Sequence, residues 1–361
     1  MKGLFAALLL CLPGAAVAAD APVRLAIVGL VHDHVRIILP ALVGRKDIKL
    51  VGIVEPDAAL CGIYEKGFHL TPSLFYPTFD ALRAATKVDA VATFTSAYDH
   101  RRVVEMCAPL GIDVMMEKPF AVSMDAARAM ADAARRGGIQ LVINYETTWY
   151  PSVRSAHEYI EGGPGIGGIR KIVAHDGHQG PAIIGCSPYF LAWLTDPVLN
   201  GGGAIMDFGC YGADLVTWFI HERPLSVFAV TQRLQPKFYP KVDDDATIVI
   251  TYPHAQAILE PSWDWSYGRK DMEIYGATAS LSLPNGDSIF VRTGDSPEAA
   301  LPAPAIPAPE GDYLSYLVAV VRGRITPSGL SSVETNLVAT EILDAARQSA
   351  RTGKSVAIPA D

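Results

Sequence analysis

The sequence predicts an α/β protein made of a parallel-sheet domain followed by an α+β domain with an open, mainly antiparallel sheet. Its length of 361 residues exceeds what one ordinary core accommodates, which indicates two domains. Up to residue 145, short β-branched runs alternate with amphipathic stretches, as in parallel sheets covered by helices on both faces. After residue 145, strand signals follow one another with turns between them, which indicates antiparallel pairing.

Composition excludes two classes of protein. Half of the residues are hydrophobic and 19% are charged, which is typical of a well-packed globular chain and not of a disordered one. The formal net charge is -8, and the sequence has no dense run of Lys and Arg. A nucleic-acid-binding protein would carry a basic patch, so we do not expect that function.

Residues 1–19 have the pattern of a secretory signal peptide. One Lys precedes an apolar stretch, and small residues lead to a cleavage position near Ala18 or Ala19. The apolar stretch is too short to span a bilayer, which needs about 20 residues. We therefore expect an exported, periplasmic protein with no membrane span. Four cysteines remain after cleavage, without the spacing of a zinc site, and we expect them to be thiols.

The first domain, residues 20–145, is expected to alternate strands and helices. Ser123 is a suitable N-cap for its last helix, and Gly137 and Gly138 form a suitable stop. The expected strands are 23–29, 48–54, 88–94, 112–116 and 139–143, and the expected helices are 34–44, 57–66, 98–109 and 123–136.

The second domain, residues 146–361, is expected to contain a sheet with helices on one face. Its Pro- and Ala-rich stretch 296–310 is expected to cross the surface in an extended form, and "GKSVAI" near the end is expected to form an edge strand. The C-terminal segment can pack back on the first domain. The expected strands are 169–176, 225–234, 245–252, 255–263, 271–276 and 279–283, and the expected helices are 151–161, 204–220, 312–322 and 332–351.

The loop after the first strand, "GLVHDHV", is an incomplete dinucleotide-binding motif. A G-x-G-x-x-G pattern would place glycines at positions 29, 31 and 34, but only Gly29 is present, with Val31 and His34 at the other two. The helix that follows still offers backbone amides and a positive dipole end, and His32 or His34, if protonated, adds a donor. We predict a Rossmann-like domain that binds NAD(H) with altered geometry; a degenerate site without cofactor is the alternative.

Polar residues also follow the later strands of this domain. Glu55 ends the strand 48–54, where an acidic side chain accepts hydrogen bonds from an adenosine ribose and repels a 2′-phosphate. This favours NAD(H) over NADP(H), although a solvated strand end is an equally good explanation. Thr95, Ser96 and His100 follow the strand 88–94, at the sheet edge where open α/β sheets bind ligands.

A charged pair, Glu117 and Lys118, follows the strand 112–116 in "MMEKPF". Such residues are rarely placed beside a core unless they are paired or functional. We favour a functional role over a structural ion pair.

The segment 200–219, "NGGGAIMDFGCYGADLVTWF", is the strongest candidate for a substrate site. Its three glycines allow a close approach of the backbone to a neighbour. On the helix that follows, Asp207, Tyr211 and Asp214 are spaced i, i+4 and i+7 and share one face. A polar line on an apolar helix is costly to bury. Either these groups satisfy nearby backbone or they line a pocket.

The "EKP" and "GGGAIMDFGCYGAD" segments, with "GIGGI" between them, resemble those of the Gfo/Idh/MocA family, which includes glucose–fructose oxidoreductase and inositol dehydrogenase. The resemblance extends over nearly the whole mature chain. It implies a Rossmann domain, an α/β domain with an open sheet, and a nicotinamide site between them. By analogy it also implies a dimer or tetramer formed through the open sheet.

The resemblance also implies roles for three residues. Lys118 matches the family's substrate-positioning lysine, Asp207 its motif aspartate, and Tyr211 the position that holds the catalytic histidine in many members and a tyrosine in the glucose–fructose branch. A tyrosine with an ordinary pKa of about 10 needs a nearby cation to act as a base. Lys118 is expected to supply that charge.

Five further residues are expected to contact the substrate. They are Tyr145, Glu146, Asp176, His178 and Asp214. The stretch 144–151 lacks the arginine often found in the family, which leaves the polarity of the substrate open. Alternation along a strand puts His175 and His178 on opposite faces, so "HDGHQG" does not predict a metal site, and none is predicted elsewhere.

The predicted function is hydride transfer between a nicotinamide cofactor and a hydroxyl-bearing carbon of a carbohydrate. Because an exported enzyme has no pool of free NAD, the cofactor is expected to be tightly bound and restored in each turnover. Two alternatives remain: a redox-neutral, NAD-dependent enzyme that cleaves glycosides by oxidation, elimination and reduction, and a cofactor-free periplasmic carbohydrate-binding protein.

Overall fold

The computed structural model describes residues 20–359, so the predicted signal peptide lies outside the described residues. The first domain is built on a six-stranded sheet, all of whose strand pairs are parallel, with the strand order β3-β2-β1-β4-β5-β6. Its strands are β1 (Val23–Val28), β2 (Ile48–Val54), β3 (Phe75–Tyr76), β4 (Ala90–Thr93), β5 (Asp113–Glu117) and β6 (Leu141–Asn144).

Five helices connect these strands, which confirms the predicted alternation. Ser123 caps the fifth, since its hydroxyl accepts a hydrogen bond from Ala126 N–H, and Gly138 ends it in a left-handed conformation. Two elements, β3 and α3, were not expected. The strand β3 has two residues, which are too few to show alternation. The helices are α1 (Val35–Ala41), α2 (Ala58–Phe68), α3 (Phe79–Ala85), α4 (His100–Cys107) and α5 (Met124–Gly137).

The second sheet has nine strands in the order β14-β13-β12-β11-β7-β10-β9-β8-β15. All of its strand pairs are antiparallel except β7 with β10, which confirms the predicted mainly antiparallel sheet. Its strands are β7 (Ile169–Gly177), β8 (Ser226–Gln232), β9 (Asp245–Thr251), β10 (Gln256–Ser262), β11 (Arg269–Gly276), β12 (Ala279–Asn285), β13 (Ser288–Thr293), β14 (Ala299–Leu301) and β15 (Val356–Ala357).

The helices of the second domain differ from expectation in one place that matters for the site. The predicted helix 204–220 is two helices that meet at Phe208, so that Asp207 ends one and Tyr211 lies in the first turn of the next. The helices are α6 (Pro151–Glu161), α7 (Pro188–Leu194), α8 (Ala204–Asp207), α9 (Gly209–Ile220), α10 (Tyr313–Val321) and α11 (Val333–Thr352).

The two domains share packing through the C-terminal helices. Leu314, Leu317 and Val320 of α10 belong to the same buried cluster as Leu25 and Ile27 of β1. The C-terminal segment thus packs back on the first domain. Among residues 20–359, no helix combines the length and the apolar character that crossing a bilayer requires.

Candidate active site

A buried ion pair joins the two domains. Lys118, directly after β5, donates hydrogen bonds from Nζ to Asp207 Oδ1 at 2.5 Å and to the Asp207 carbonyl oxygen at 2.9 Å. Trp263 Nε1 donates to the other carboxylate oxygen at 2.9 Å. Burial alone would lower the pKa of Lys118, but the Asp207 carboxylate outweighs it and the net pKa is raised. Lys118 is therefore a charged hydrogen-bond donor at neutral pH.

The Tyr211 ring lies beside two ammonium groups. Lys118 Nζ is 5.0 Å from the ring centroid, and Lys270 Nζ is 4.8 Å from it. Tyr211 is nevertheless buried, and burial, followed by the charge of Glu146, raises the pKa of its phenol well above the ordinary value. Contrary to expectation, the Lys118 charge does not bring the net pKa of Tyr211 below its ordinary value, and the phenol is protonated at neutral pH.

A cavity of about 600 Å³ opens between Phe208 and the strands β11 and β12. Lys118, Asp207 and Tyr211 are buried and do not belong to its lining, but two lining residues contact them: the Phe208 ring centroid lies 5.4 Å from Lys118 Nζ, and Lys270 Nζ lies 4.8 Å from the centroid of the Tyr211 ring. This volume is in the range of small-molecule sites. Its polar lining is mixed in charge. The lining includes Glu146, Tyr150, His178, Phe208, Arg269, Lys270, Asp271, Glu273 and Asn285.

Lys270 is the residue of this cavity that sequence reasoning missed. Its ammonium group pairs with the Glu146 carboxylate, which also accepts a hydrogen bond from Tyr150 Oη at 2.5 Å. The strand was expected to begin at residue 271, which left Lys270 in a turn, whereas β11 begins at Arg269. In the correct register Lys270 lies opposite Asp176 and shares a face with Met272, so alternation would have placed it beside the pocket.

Lys270→Met is expected to raise the KM for the substrate about tenfold with a smaller change in kcat, because a hydrogen bond to a charged group contributes about 1.5–3 kcal/mol. Steady-state kinetics on an active substrate measures this. Lys171→Met, on the adjacent strand and outside the cavity lining, is the control. An unchanged KM in Lys270→Met would exclude contact between this ammonium and the substrate.

Of the predicted substrate residues, Glu146 and His178 line the cavity. His178 Nδ1 accepts the Gly180 N–H at 2.9 Å, which places the proton of the neutral ring on Nε2. Burial lowers the pKa of His178 to about 4, so the ring is neutral at neutral pH. His178 is suited to donate a hydrogen bond to a ligand and not to act as a base.

Tyr145 and Asp214 do not reach the cavity, contrary to expectation. Tyr145 is 1% exposed and packs edge-on against Tyr211, with 5.5 Å between ring centroids. Asp214 is fully buried, and neither carboxylate oxygen has a hydrogen-bond partner among the described residues. Burial raises its pKa well above the ordinary value, so it is a neutral acid in the core.

Asp176 lines a separate small cavity next to the main one, with Lys270 and Tyr150 also in its lining. It was expected to share the pocket with His178, but β7 ends at Gly177, and His178 lies beyond the strand, where alternation no longer applies. Burial raises the pKa of Asp176 to about 7 from 3.8.

Asp176→Asn is expected to stabilise the protein in a pH-dependent way. A carboxyl group whose pKa is raised in the folded state loses stability as pH rises from 3.8 to about 7, because the unfolded state releases the proton first. Asparagine does not titrate, so Asp176→Asn does not lose unfolding free energy in this way. Its unfolding free energy should exceed that of the wild type by up to about 4 kcal/mol above pH 7.

Urea denaturation at pH 4 and at pH 8 measures the difference in unfolding free energy between Asp176→Asn and the wild type. Asp80→Asn is the control, since the Asp80 side chain is 95% exposed. A difference between Asp176→Asn and the wild type that is the same at both pH values would contradict a raised pKa at Asp176.

The cofactor side of the site lies at the carboxyl ends of β1, β2 and β4. A cavity of about 510 Å³ there is lined by Gly29, Val31, Glu55 and Thr95, among others. Gly29 has a φ of 83°, and a Cβ at this position would lie 2.6 Å from Thr95 Cγ2. Glycine is therefore required at position 29, whereas Val31 leaves a large cavity open.

Glu55 holds the loop after β1. Its carboxylate accepts hydrogen bonds from Leu30 N–H and Asp57 N–H, each at 3.0 Å. A carboxylate offers about four lone-pair positions, so two remain for ribose hydroxyls. Burial raises the pKa of Glu55.

The two histidines of this loop have different surroundings. His32 is buried against Phe190 and Trp193, its Nδ1 accepts the His34 N–H, and burial lowers its pKa well below the ordinary value. A protonated donor at His32 is therefore not available. His34 Nδ1 instead lies 2.9 Å from Glu117 Oε2, and its side chain is 35% exposed.

Glu117 also accepts a hydrogen bond from Asn144 Nδ2 at 2.9 Å, so it links the loop to β6. His32, His34 and Glu117 each place one possible ligand atom within 4.8 Å of the others. The Nδ1 atom of His32 is already used by the His34 N–H, and Glu117 by His34 and Asn144. Internal hydrogen bonds therefore account for this cluster.

Of the three predicted residues after β4, one lines the cofactor cavity and two do not. Thr95 lines the cofactor cavity. Ser96 caps the next turn, since its Oγ accepts the Asp99 N–H, and His100 is buried with Nδ1 at 3.3 Å from the Phe120 carbonyl oxygen. Ser96 and His100 are therefore structural in this arrangement and do not line the cavity.

The residues present fit a dinucleotide. The cavity at the sheet edge is large enough for an adenosine group, Gly29 is sterically required, and Glu55 retains free lone pairs. Gly29, Val31, Glu55 and Thr95 would hold the adenosine end, and Lys118 would lie at the nicotinamide end.

Comparisons with known proteins identify the family. The oxidoreductase family with an NAD-binding Rossmann fold matches residues 23–145, and the GFO/IDH/MocA C-terminal domain matches residues 153–282. D-apiose dehydrogenase of Paraburkholderia graminis is 24% identical over 300 residues, which are 76% of this chain and 74% of that protein. Inositol 2-dehydrogenase of Rhizobium meliloti is 26% identical over 267 residues, which are 71% of this chain and 74% of that protein.

Solved structures share the fold. Aldose-aldose oxidoreductase from Caulobacter crescentus, complexed with glycerol, superposes with a TM-score of 0.78 at 23% identity over 93% of this chain and 100% of that chain. An inositol dehydrogenase homolog from Azotobacter vinelandii, complexed with NAD⁺, gives a TM-score of 0.80 at 18% identity over 94% and 98%. Both domains, in this order, match one family, and the chain therefore belongs to the GFO/IDH/MocA family of NAD(P)-dependent oxidoreductases.

Proposed function

We propose that this protein interconverts a sugar hydroxyl and the corresponding carbonyl in the cavity beside Lys118 and Tyr211. The observation that carries the proposal is the meeting of Lys118, from the first domain, with Asp207 and Tyr211, from the second. This buried cluster contacts Phe208 and Lys270, which line a polar cavity of about 600 Å³. Three relatives are named as dehydrogenases of apiose, xylose and inositol, and these names support a polyhydroxylated substrate.

When bound, the nicotinamide ring supplies the hydride acceptor or donor. The protein's own groups handle the proton. Lys118 keeps its charge because of Asp207, and it is placed to donate a hydrogen bond to the reacting oxygen. Tyr211 Oη donates a proton to that oxygen in the reducing direction and accepts one in the oxidising direction. Lys118, whose Nζ lies 5.0 Å from the ring centroid, stabilises the phenolate formed in oxidation.

The cavity recognises hydroxyl groups through donors and acceptors of both signs. His178 Nε2–H donates, the Glu146 carboxylate accepts, and Lys270 donates. A neutral polyol or aldose satisfies such a mixed set.

NAD(H) is proposed over NADP(H). A carboxylate at Glu55 repels a 2′-phosphate. Arg102 lines the same cavity, but its guanidinium lies 3.4 Å from the Asp99 carboxylate, which partly compensates its charge.

We further propose export to the periplasm, supported by the pattern of residues 1–19, and with it a tightly held cofactor. A dimer or tetramer through the open face of the second sheet is supported by Phe228, Val230 and Tyr275, which are 40%, 49% and 40% exposed. Cell fractionation tests the location, and light scattering of the purified protein tests the assembly.

The test of the function begins with protein collected from the periplasm. The nucleotide in one sample is released by denaturation and identified. A second, native sample is mixed with a panel of aldoses, polyols and aryl glycosides while nicotinamide absorbance and aglycone release are recorded. We expect one NAD(H) per chain and reduction of the nicotinamide by at least one sugar. Absence of nucleotide, together with no binding of added NAD⁺ or NADP⁺, would favour the carbohydrate-binding alternative. Release of an aglycone without net reduction would favour the glycoside-cleaving one.

A further inference from the structure

We infer that this protein binds a divalent transition-metal cation of the Zn²⁺ class at His157, Glu161 and His221. One possible ligand atom of each residue lies within 4.8 Å of the other two. Two imidazoles and one carboxylate are ligands that Zn²⁺ and its first-row neighbours prefer, and three protein ligands leave a fourth tetrahedral position for water.

The trio is assembled from two helices. His157 and Glu161 are four residues apart on α6 and therefore share one face of it. His221 directly follows α9 in a left-handed conformation, with a φ of 55°. Its Nε2 lies 3.8 Å from Glu161 Oε1, and its ring centroid lies 5.9 Å from that of His157.

His157 is held in place independently of a metal. Its ring stacks on Trp218 with 4.0 Å between centroids and 6° between planes. Its Nε2 is buried and has no hydrogen-bond partner within residues 20–359. Because an unpaired buried nitrogen is costly in a folded protein, a ligand for this ring is favoured.

Closing the site requires a small movement of two exposed side chains. Ligand atoms around a tetrahedral Zn²⁺ are about 3.4 Å apart, given metal–ligand distances of about 2.1 Å. The Glu161 and His221 side chains are 50% and 53% exposed and are therefore free to change rotamer toward the fixed His157 ring.

The site is separate from the proposed reaction. None of the three residues lines the cavity beside Lys118 or the cofactor cavity. A bound cation would join α6 to the C-terminal end of α9, and its binding free energy would add to the stability of the second domain.

The experiment uses the full mature chain without a polyhistidine tag, treated with chelator and titrated with ZnCl₂ by calorimetry. Three variants remove one ligand each. His221→Asn keeps a residue that tolerates the left-handed conformation, Glu161→Gln keeps the size of the side chain, and His157→Phe keeps the ring on Trp218. His254→Asn is the control, since that 80% exposed histidine pairs with Glu222 outside the trio.

We expect one Zn²⁺ per chain at this site, at least about tenfold weaker binding in each ligand variant, and unchanged binding in the control, since even outer-sphere changes cost about 10–100-fold in affinity. Cu²⁺ should quench Trp218 fluorescence, and the quenching should be lost in His221→Asn. Zn²⁺ should also raise the Tm of the wild type but not of Glu161→Gln, so the inference remains testable if His157→Phe does not fold.

Absence of Zn²⁺ binding would overturn the inference. So would binding that persists unchanged in Glu161→Gln and His221→Asn, because the cation would then lie elsewhere, with the His32, His34 and Glu117 cluster as the first place to look.

Discussion

Replacing Lys118 by Met is expected to lower kcat by about 10²–10³ and to destabilise the fold. We propose its ammonium group as the hydrogen-bond donor to the reacting oxygen, and loss of a preorganised donor has an effect of this size. The change also leaves the buried Asp207 carboxylate with only Trp263 Nε1 as a side-chain donor. Breaking a buried ion pair by removing one partner costs about 3–5 kcal/mol. Steady-state kinetics and urea denaturation measure the two effects.

A double variant separates stability from catalysis. Lys118→Met with Asp207→Asn replaces both charges by neutral groups of similar size, and such replacements are often neutral for stability. We expect the double variant to recover most of the unfolding free energy that the single variant loses while staying inactive. Recovery of turnover in the double variant would mean that Lys118 serves only to neutralise Asp207.

The second large effect is expected for Tyr211→Phe, with a loss of about 10²–10⁴ in kcat, the usual contribution of general acid–base catalysis. The pH dependence identifies the role. Burial raises the pKa of Tyr211 well above 10, so the oxidising direction, which needs the phenolate, should accelerate as pH rises through the alkaline range. The reducing direction uses the protonated phenol and should be constant from neutral pH up to that range.

In Tyr211→Phe both profiles should lose this dependence. The ring stays beside Lys118 and Lys270, so its packing is preserved and the substitution removes only the hydroxyl. Wild-type kcat in the variant, or an oxidation profile that keeps its alkaline rise, would assign the proton to another group.

The sequence predicted the architecture well because both domains have strong periodic signals. The parallel sheet, the capping of α5 by Ser123, and the edge strand β15 all follow from residues close together in the chain. The strands β3 and β14 were missed because two or three residues show little alternation, and the six-residue strand β13 was also missed.

The site was predicted less completely because it depends on contacts between distant segments. The pairing of Lys118 with Asp207 joins residues 89 positions apart and was not predicted; the family resemblance gave each residue a role but not this contact. The pKa of Tyr211 was predicted with the wrong sign, because a sequence gives the presence of a nearby cation but not the extent of burial. Asp214 fits the helical spacing of Tyr211, yet both residues lie on the buried α9, and Asp214 is fully enclosed in the core.

The loop after β1 illustrates the same limit. Val31 and His34 break the glycine motif, yet the cavity beside Gly29 remains open. His34 binds Glu117, and this contact between residues 83 positions apart is invisible in the motif itself.

Transfer of deuterium tests the central proposition most directly. Purified protein, with its own or added NAD⁺, is mixed with aldoses deuterated at every carbon, and the nicotinamide is analysed by mass spectrometry. We predict one deuterium on the nicotinamide ring for the wild type, and its appearance at least about 100-fold more slowly in Lys118→Met. Sugar bound in the cavity without any deuterium on the ring would contradict hydride transfer at this site.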